Sequence, residues 1–504
     1  MEELQAFLHG FAMIFELKFV LLMFFGVTFG LVLGALPGLT GSMGIALMLP
    51  FTYNMEALDA LVFLLSIYSG GLFGGAITAV LINTPGSPAN IATVLDGYPM
   101  TLQGKSEEAL GLSLYSSVFG GLIGCVFLVM VMEPLANLSL QFGPSEMFMV
   151  AIFGLTVVGS LSKNILKSIY AGLVGILLGT IGMSSTGVVR GTMGSNYLLD
   201  GIPLIPALIG FLAIPELFNL AARTFVVDTG DARFDVGRIL RSLKEVVSRP
   251  FQVLFCSAIG VIVGVMPAAG ATVASLLSYN QAKQWSKKYD QFGKGIPEGV
   301  IASECANNAS EGGALATMLV LGIPGSASTA MLLGAVMIQG WIPGPRLFLD
   351  NKEVIYASIS SLFIQQFVML IMGTVLCVFA ARLIKVPTRY LVPCILLFTI
   401  LGAYSTRNAV FDAGLMLSFG IVGWFLRRND FPIMPLVLGI ILGPIADREL
   451  LRIAQIYGGN YMQIFQCPIT LFLFILSVLS VVTPLALGYL RARKAKAAGE
   501  GGAL

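Results

Sequence analysis

Residues that could do chemistry in this chain gather in five short polar stretches, each set in apolar surroundings. Four are helix-breaking sequences: Leu36-Pro37-Gly38-Leu39-Thr40-Gly41-Ser42, Asn83-Thr84-Pro85-Gly86-Ser87-Pro88, Met266-Pro267-Ala268-Ala269-Gly270-Ala271-Thr272 and Gly322-Ile323-Pro324-Gly325-Ser326. Proline removes a backbone donor and glycine frees the chain, so a helix running into such a stretch must break. In hydrocarbon, broken backbone is tolerable only where protein or a water-filled cavity covers it. A short helix starting there presents unpaired N–H groups and the positive end of its dipole, which suits a carboxylate. Carbonyls freed nearby suit Na⁺. The substrate-binding candidates are therefore Thr40, Ser42, Asn83, Thr84, Gly86, Ser87, Asn90, Gly270, Thr272, Gly325 and Ser326, with Ser275 close by. One break alone would most simply kink and pack a helix. Four in corresponding positions point to a binding site.

The fifth stretch is Ser303-Glu304-Cys305-Ala306-Asn307-Asn308-Ala309-Ser310-Glu311. Glu304 and Asn308 lie four apart on one helical face, with Glu311 three further on. Ionisable side chains at membrane depth are expensive and usually functional. Glu304, Asn307, Asn308 and Glu311 could hold a coupling cation or relay a proton. The alternative is that they lie in water at an interface and cap a helix.

Other chemistries lack their parts. The only histidine is His9, and the six cysteines (Cys125, Cys256, Cys305, Cys377, Cys394, Cys467) form no close pair. Neither a zinc site nor a disulfide framework is expected, and no cofactor. Asp228-Thr229-Gly230 resembles an aspartic-protease signature, but occurs once and in a charged linker. Arg190, Asp200, Arg407, Asp412 and Asp447 could pair structurally, without an assignable role. Gly26, Gly30 and Gly34, at four-residue spacing, are most simply a helix-packing face.

The elements that must position these stretches follow from solvent. Hydrophobic residues make up 56% of the 504 residues and charged residues 11%, against about a quarter charged in soluble domains. Mean hydropathy is +0.88. Apolar runs of spanning length recur, as in Leu110 to Val131, Ser358 to Ala381 and Ile469 to Leu490. The expected class is all-α and polytopic. Glu2 and Glu3 open the chain, which argues against a cleaved signal.

A repeat organises these runs. Gly30-x3-Gly34-x2-Pro37 recurs as Gly260-x3-Gly264-x2-Pro267, and Gly74-x3-Thr78-x6-Pro85-Gly86-Ser87 as Gly313-x3-Thr317-x6-Pro324-Gly325-Ser326. Pro203-x2-Pro206-x3-Gly210-x4-Pro215 recurs as Pro432-x2-Pro435-x3-Gly439-x4-Pro444. The expected layout is an interfacial segment at 1–16, a first repeat at 17–222, a linker at 223–250, a second repeat at 251–449, and a last helix with its tail at 450–504. Basic residues place linker and tail in the cytoplasm. If both are cytoplasmic, the second repeat and the unmatched last helix cross an even number of times. Each repeat then crosses an odd number of times, and the two lie inverted.

Taken together, these motifs resemble TctA, the large membrane subunit of tripartite tricarboxylate transporters. The likeness rests on chain length, Gly34-x2-Pro37-Gly38, Asn83-Thr84-Pro85-Gly86-Ser87 and the block from Pro297 to Gly325. It implies a multi-pass carrier of the bacterial inner membrane that imports citrate or a related carboxylate on a Na⁺ or H⁺ gradient. It also implies two partners, a small four-helix membrane subunit and a periplasmic solute-binding protein. No nucleotide-binding motif is present, in keeping with gradient-driven alternating access. The competing readings are a carrier acting alone, a passive channel and an intramembrane enzyme; the last lacks a nucleophile–base pair or metal cluster.

Overall fold

A computed structural model describes residues 2–36, 39–139, 142–160, 165–184, 186–221, 236–267, 270–344, 347, 350–383, 388–480 and 482. Two breaks are thus described only in part, since Pro37, Gly38, Ala268 and Ala269 lie outside these residues. So do Asp228-Thr229-Gly230, most of the N-terminal half of the linker, and the basic tail.

Helices dominate the described residues. They are α1 (Glu2–Met13), α2 (Leu17–Gly34), α3 (Gly41–Met48), α4 (Ala57–Ile82), α5 (Ile91–Leu102), α6 (Ser106–Ser139), α7 (Pro144–Ser160), α8 (Ile165–Gly179), α9 (Leu204–Leu208), α10 (Ile214–Ala221) and α11 (Val236–Val247). A π-helical turn, Ile209–Ala213, joins α9 to α10. Then follow α12 (Pro250–Val265), α13 (Gly270–Trp285), α14 (Pro297–Leu321), α15 (Ala327–Ile338), α16 (Lys352–Leu383), α17 (Thr388–Arg407), α18 (Val410–Arg428), α19 (Ile433–Ile456) and α20 (Pro468–Ser480). A two-residue hairpin pairs Gly182–Met183 with Val189–Arg190. Helices α2, α4, α6, α16 and α18 contain stretches long and apolar enough to cross a membrane. The protein is a multi-pass membrane protein.

The described chain divides into two compact units, one of residues 1–140 with 204–425 and one of 141–203 with 426–504. In the first, the repeat reappears as structure: α2–α3–α4–α5 and α12–α13–α14–α15 share one element order. Both long helices end in a left-handed residue, Asn83 (φ 57°) after α4 and Gly322 (φ 69°) after α14. Asparagine and glycine tolerate that conformation best. The next amide in each turn reaches back alike, Thr84 N to Thr78 O at 3.4 Å and Ile323 N to Thr317 O at 3.5 Å.

The glycine face expected on α2 is a packing face. A Cβ at Gly30 would collide with the Ile67 carbonyl, and one at Gly260 with that of Ala306. Bare backbones therefore let α2 lie on α4 and α12 on α14. Elements also exchange between the halves: α6 packs on α14 while α16 packs on α4, and α15 packs on α3 while α13 packs on α5. Val27, Phe73, Leu114 and Val300 belong to the core that results. In the second unit α8 lies on α19 through Gly175 and Gly439, and Arg190 pairs with Asp447. There Thr470 donates to Glu146 at 2.6 Å. Of the charged residues that could pair structurally, Arg407 also pairs with Asp412, in the first unit.

Candidate functional site

Glu304 sits inside α14, about two turns from its start, and is fully buried. It does not lie in water at a helix end, so the capping alternative fails for it and for Glu311, which is 2% exposed. A buried carboxylate needs donors at both oxygens. The Thr93 hydroxyl and the Asn90 amide donate to Oε1, the latter at 3.3 Å, and Ser117 donates to Oε2 at 2.9 Å. These donors arrive on α5, on the turn preceding it and on α6. Three elements of the first repeat thus close on one side chain of the second.

Asn90 joins this carboxylate to the second break. Its Oδ1 accepts from the Ser87 hydroxyl at 2.7 Å, and its Nδ2 also donates to the Leu72 carbonyl at 3.3 Å. Asn307 Nδ2 donates to the same carbonyl at 3.2 Å. The Oδ1 atoms of Asn307 and Asn308 are buried and accept no hydrogen bond within the protein. Such oxygens are costly to desolvate without a partner.

Two turns along α14, Glu311 Oε1 accepts from Ser69 at 2.6 Å, and Ser69 also lies 3.2 Å from Gln365 Oε1. Gln365 is anchored to the Ser361 hydroxyl at 2.9 Å. Next to Ser69, the Tyr68 hydroxyl is 3.4 Å from the Ser326 hydroxyl in the fourth break. The two breaks that follow the long helices therefore each adjoin a carboxylate-bearing stretch of α14 through one α4- or α5-side contact.

With that geometry in hand, the comparison with known proteins is decisive. A profile of the tripartite tricarboxylate transporter TctA family matches residues 20–438. The chain belongs to this family. It is 33% identical over 468 residues, 92% of each chain, to the uncharacterized 52.8 kDa protein in the TAR-I ttuC′ 3′ region of Agrobacterium vitis. It is also 33% identical over 226 residues, 45% of this chain and 93% of the other, to an uncharacterized protein in the TAR-II ttuC′ 3′ region of the same organism. No solved structure matches the chain. TctA membership makes it a transporter membrane protein.

Within this TctA chain, the remaining sequence candidates have identifiable neighbours. Thr40 caps α3, accepting from Met43 N at 3.3 Å, and lies 2.8 Å from the Ser42 hydroxyl. Ser326 caps α15 in a reciprocal capping box with Thr329. Ser275 donates to Ala89 O at 2.7 Å, tying α13 to the turn after the second break. Thr272 contributes its carbonyl to Ser275 at 3.1 Å, and Asn83 is exposed. Gly270 has φ 58° and faces Gly325 and Ser326, both 3.5 Å from where its Cβ would lie. Gly86 and Gly325 abut the Gly34 and Gly264 carbonyls, so they serve close packing of backbones.

Thr93, Ser117, Ser69, Tyr68 and Gln365 were not singled out by sequence reasoning. Neither was Asp96, buried on α5, whose Oδ1 accepts from Gly293, Gly295 and Ile296 amides at 2.9, 2.8 and 3.0 Å. Its Oδ2 accepts from the Tyr279 hydroxyl at 2.8 Å. Asp96 clamps the loop before α14 onto α5.

Proposed function

We propose that the chain is the translocating subunit of a binding-protein-dependent carrier that imports citrate or a related carboxylate, driven by a Na⁺ or H⁺ gradient across the bacterial inner membrane. The observation that carries this reading is the buried Glu304 network, in which Asn90 touches both the carboxylate and the Ser87 hydroxyl of the second break. A coupling site and a substrate loop that share one side chain can sense each other's occupancy. Glu304 and Glu311, with the Oδ1 atoms of Asn307 and Asn308, offer the oxygen donors a hard cation takes. The breaks at Thr40–Ser42, Asn83–Asn90, Gly270–Thr272 and Gly325–Ser326 offer amides and hydroxyls for the substrate carboxylates.

Transport runs by alternating access. The broken elements of each repeat move against the rest, and the reciprocal packing of α6 on α14 and α16 on α4 supports a two-fold relation between the halves. A small four-helix membrane subunit and a periplasmic solute-binding protein complete the assembly. The test is uptake by vesicles holding the purified chain, with and without those partners, under Na⁺ and H⁺ gradients imposed separately. Accumulation above the external concentration under one gradient is expected. Flux that only ever runs down the substrate's own gradient would make the protein a channel.

A further inference from the structure

Gln366 of α16 is fully buried, and neither end of its amide meets a hydrogen-bond partner among the described residues. Buried polar groups are normally paired, and one left bare destabilises the fold. Methionine would fill the same space with no amide to satisfy. An amide at this position therefore calls for a partner that the chain itself does not supply. The orphaned Oδ1 of Asn308 on α14 calls for one too.

Helix register brings these two side chains to one level. Ser117 of α6 donates to Glu304, and Cβ atoms placed on Gly120 and Gly124 would meet Cys305 and Ala309. Helices α6 and α14 therefore run in the same direction. One turn beyond Ser117, Gly121 comes level with Asn308, one turn beyond Glu304. On another flank of α6, α16 passes with Gly373 against Leu114 and Gln366 against Gly121. A Cβ on Gly121 would lie 2.2 Å from Gln366 Oε1, so this amide has room only because residue 121 is glycine. Gln365, its neighbour, lies 3.2 Å from Ser69, which donates to Glu311. Asn308 Nδ2 donates to the Glu304 carbonyl at 3.2 Å, which leaves Oδ1 as its unused end. Amide oxygens from two helices thus stand at the level between the two carboxylates.

We propose that Gln366 is a ligand of the coupling cation, an inference that rests on the reading of α14 as the coupling helix. The cation takes Gln366 Oε1 and Asn308 Oδ1 as neutral ligands beside the charge of Glu304 and Glu311, and Gln366 Nε2 donates to a water that the ion retains. Carboxylates attract any cation, whereas amide oxygens are ligands for a hard metal ion. The class of ion this set takes is an alkali cation. Gln366 is the contribution of α16 to a site otherwise built by α14.

The test follows thermal unfolding of the purified full chain in detergent as Na⁺ replaces choline at constant ionic strength. A ligand that binds the folded state raises the midpoint, so Na⁺ should stabilise the native chain over choline. Gln366→Met keeps length and bulk but loses both polar atoms. Its midpoint in choline should equal or exceed the native one, because no hydrogen bond is lost. Its half-effective Na⁺ concentration should rise about tenfold, as loss of one contact to a charge does. Gly121→Ala, which displaces the amide without removing it, should weaken the Na⁺ response likewise and supplies the comparison if Gln366→Met does not fold. A native Na⁺ response in both variants would overturn the proposal. So would a midpoint of Gln366→Met in choline well below the native one, by giving the amide a structural bond. If Glu304→Gln loses the Na⁺ response while Gln366→Met keeps it, the role of Gln366 alone is refuted and the coupling site stands. Absence of any Na⁺ response in the native chain would also overturn the inference, and proton-driven uptake by that chain would leave the transporter reading intact.

Discussion

Glu304→Gln separates the fold from the function at the site. The carboxylate receives three side-chain hydrogen bonds, from Thr93, Asn90 and Ser117. Bonds to a charged group contribute about 1.5–3 kcal/mol each, against a desolvation cost of several kcal/mol for burying a carboxylate. The two sides nearly cancel, so the charge itself adds little to stability. Glutamine keeps the shape and one oxygen, which can still accept from Thr93 and Asn90. Its amide faces Ser117, whose hydroxyl can rotate to accept. The variant should fold with a stability change of about 1 kcal/mol or less. Alanine differs: it opens a cavity and leaves Ser117 without its acceptor, costing about 2–5 kcal/mol. Uptake by vesicles under imposed Na⁺ or H⁺ gradients then isolates the coupling role. Glu304→Gln should bind substrate and equilibrate it, but lose the acceleration that the gradient gives the native protein. If a gradient drives the Glu304→Gln protein as strongly as wild type, the coupling assignment is refuted. Unchanged behaviour of Glu311→Gln as well would reduce the whole α14 cluster to a structural network.

Three further outcomes follow from the geometry. Ser87→Ala, which removes the hydroxyl bonded to Asn90 Oδ1, should raise the half-saturating substrate concentration about tenfold; Ser326→Ala should do the same and also lose about 1 kcal/mol of stability with its helix cap, which Ser326→Thr should largely return. Both alanine variants keeping wild-type affinity would remove these breaks from substrate binding. Asp96→Ala orphans the buried Ile296 amide and Tyr279 hydroxyl and two partly exposed glycine amides, so it should cost about 2–3 kcal/mol in detergent-solubilised thermal unfolding, with Asp96→Asn milder; a wild-type melting curve would show that the clamp is dispensable. For topology, a cysteine at exposed Ser248 should resist impermeant thiol reagents added outside and one at exposed Gly459 should react; Ser242 is unsuitable because it is buried against α6. Equal labelling of both positions would contradict the proposed inversion.

What the sequence made legible was local, and what it hid was long-range. The breaks were visible because proline and glycine act on their own backbone: Asn83 and Gly322 turn left-handed where the motif predicts a helix must stop. The packing role of Gly30 and Gly34 was equally plain, since small residues at four-residue spacing need only a neighbouring backbone. The partners of Glu304 were not. Thr93 and Ser117 are single hydroxyls in ordinary apolar helices, where most such hydroxyls bond their own preceding turn. Ser113, Ser116 and Ser117 at helical spacing do mark one polar face on the otherwise apolar α6, and that face was the available signal that α6 meets something buried and polar. Which helix it meets depends on the crossing of α6 with α14, from opposite halves of the chain, and hydrophobic period does not encode that choice. Asp96 was hidden for the same reason, because its three amide donors lie in a loop about two hundred residues away. The repeat supplies the missing constraint. Because the halves exchange elements, the turn after the long helix of each half lies against the long helix of the other. Asn90 meets Glu304 in one such contact and Ser326 meets Tyr68 in the other, so corresponding turns of the two halves make unequal contacts: an amide with a carboxylate, and a hydroxyl with a phenol.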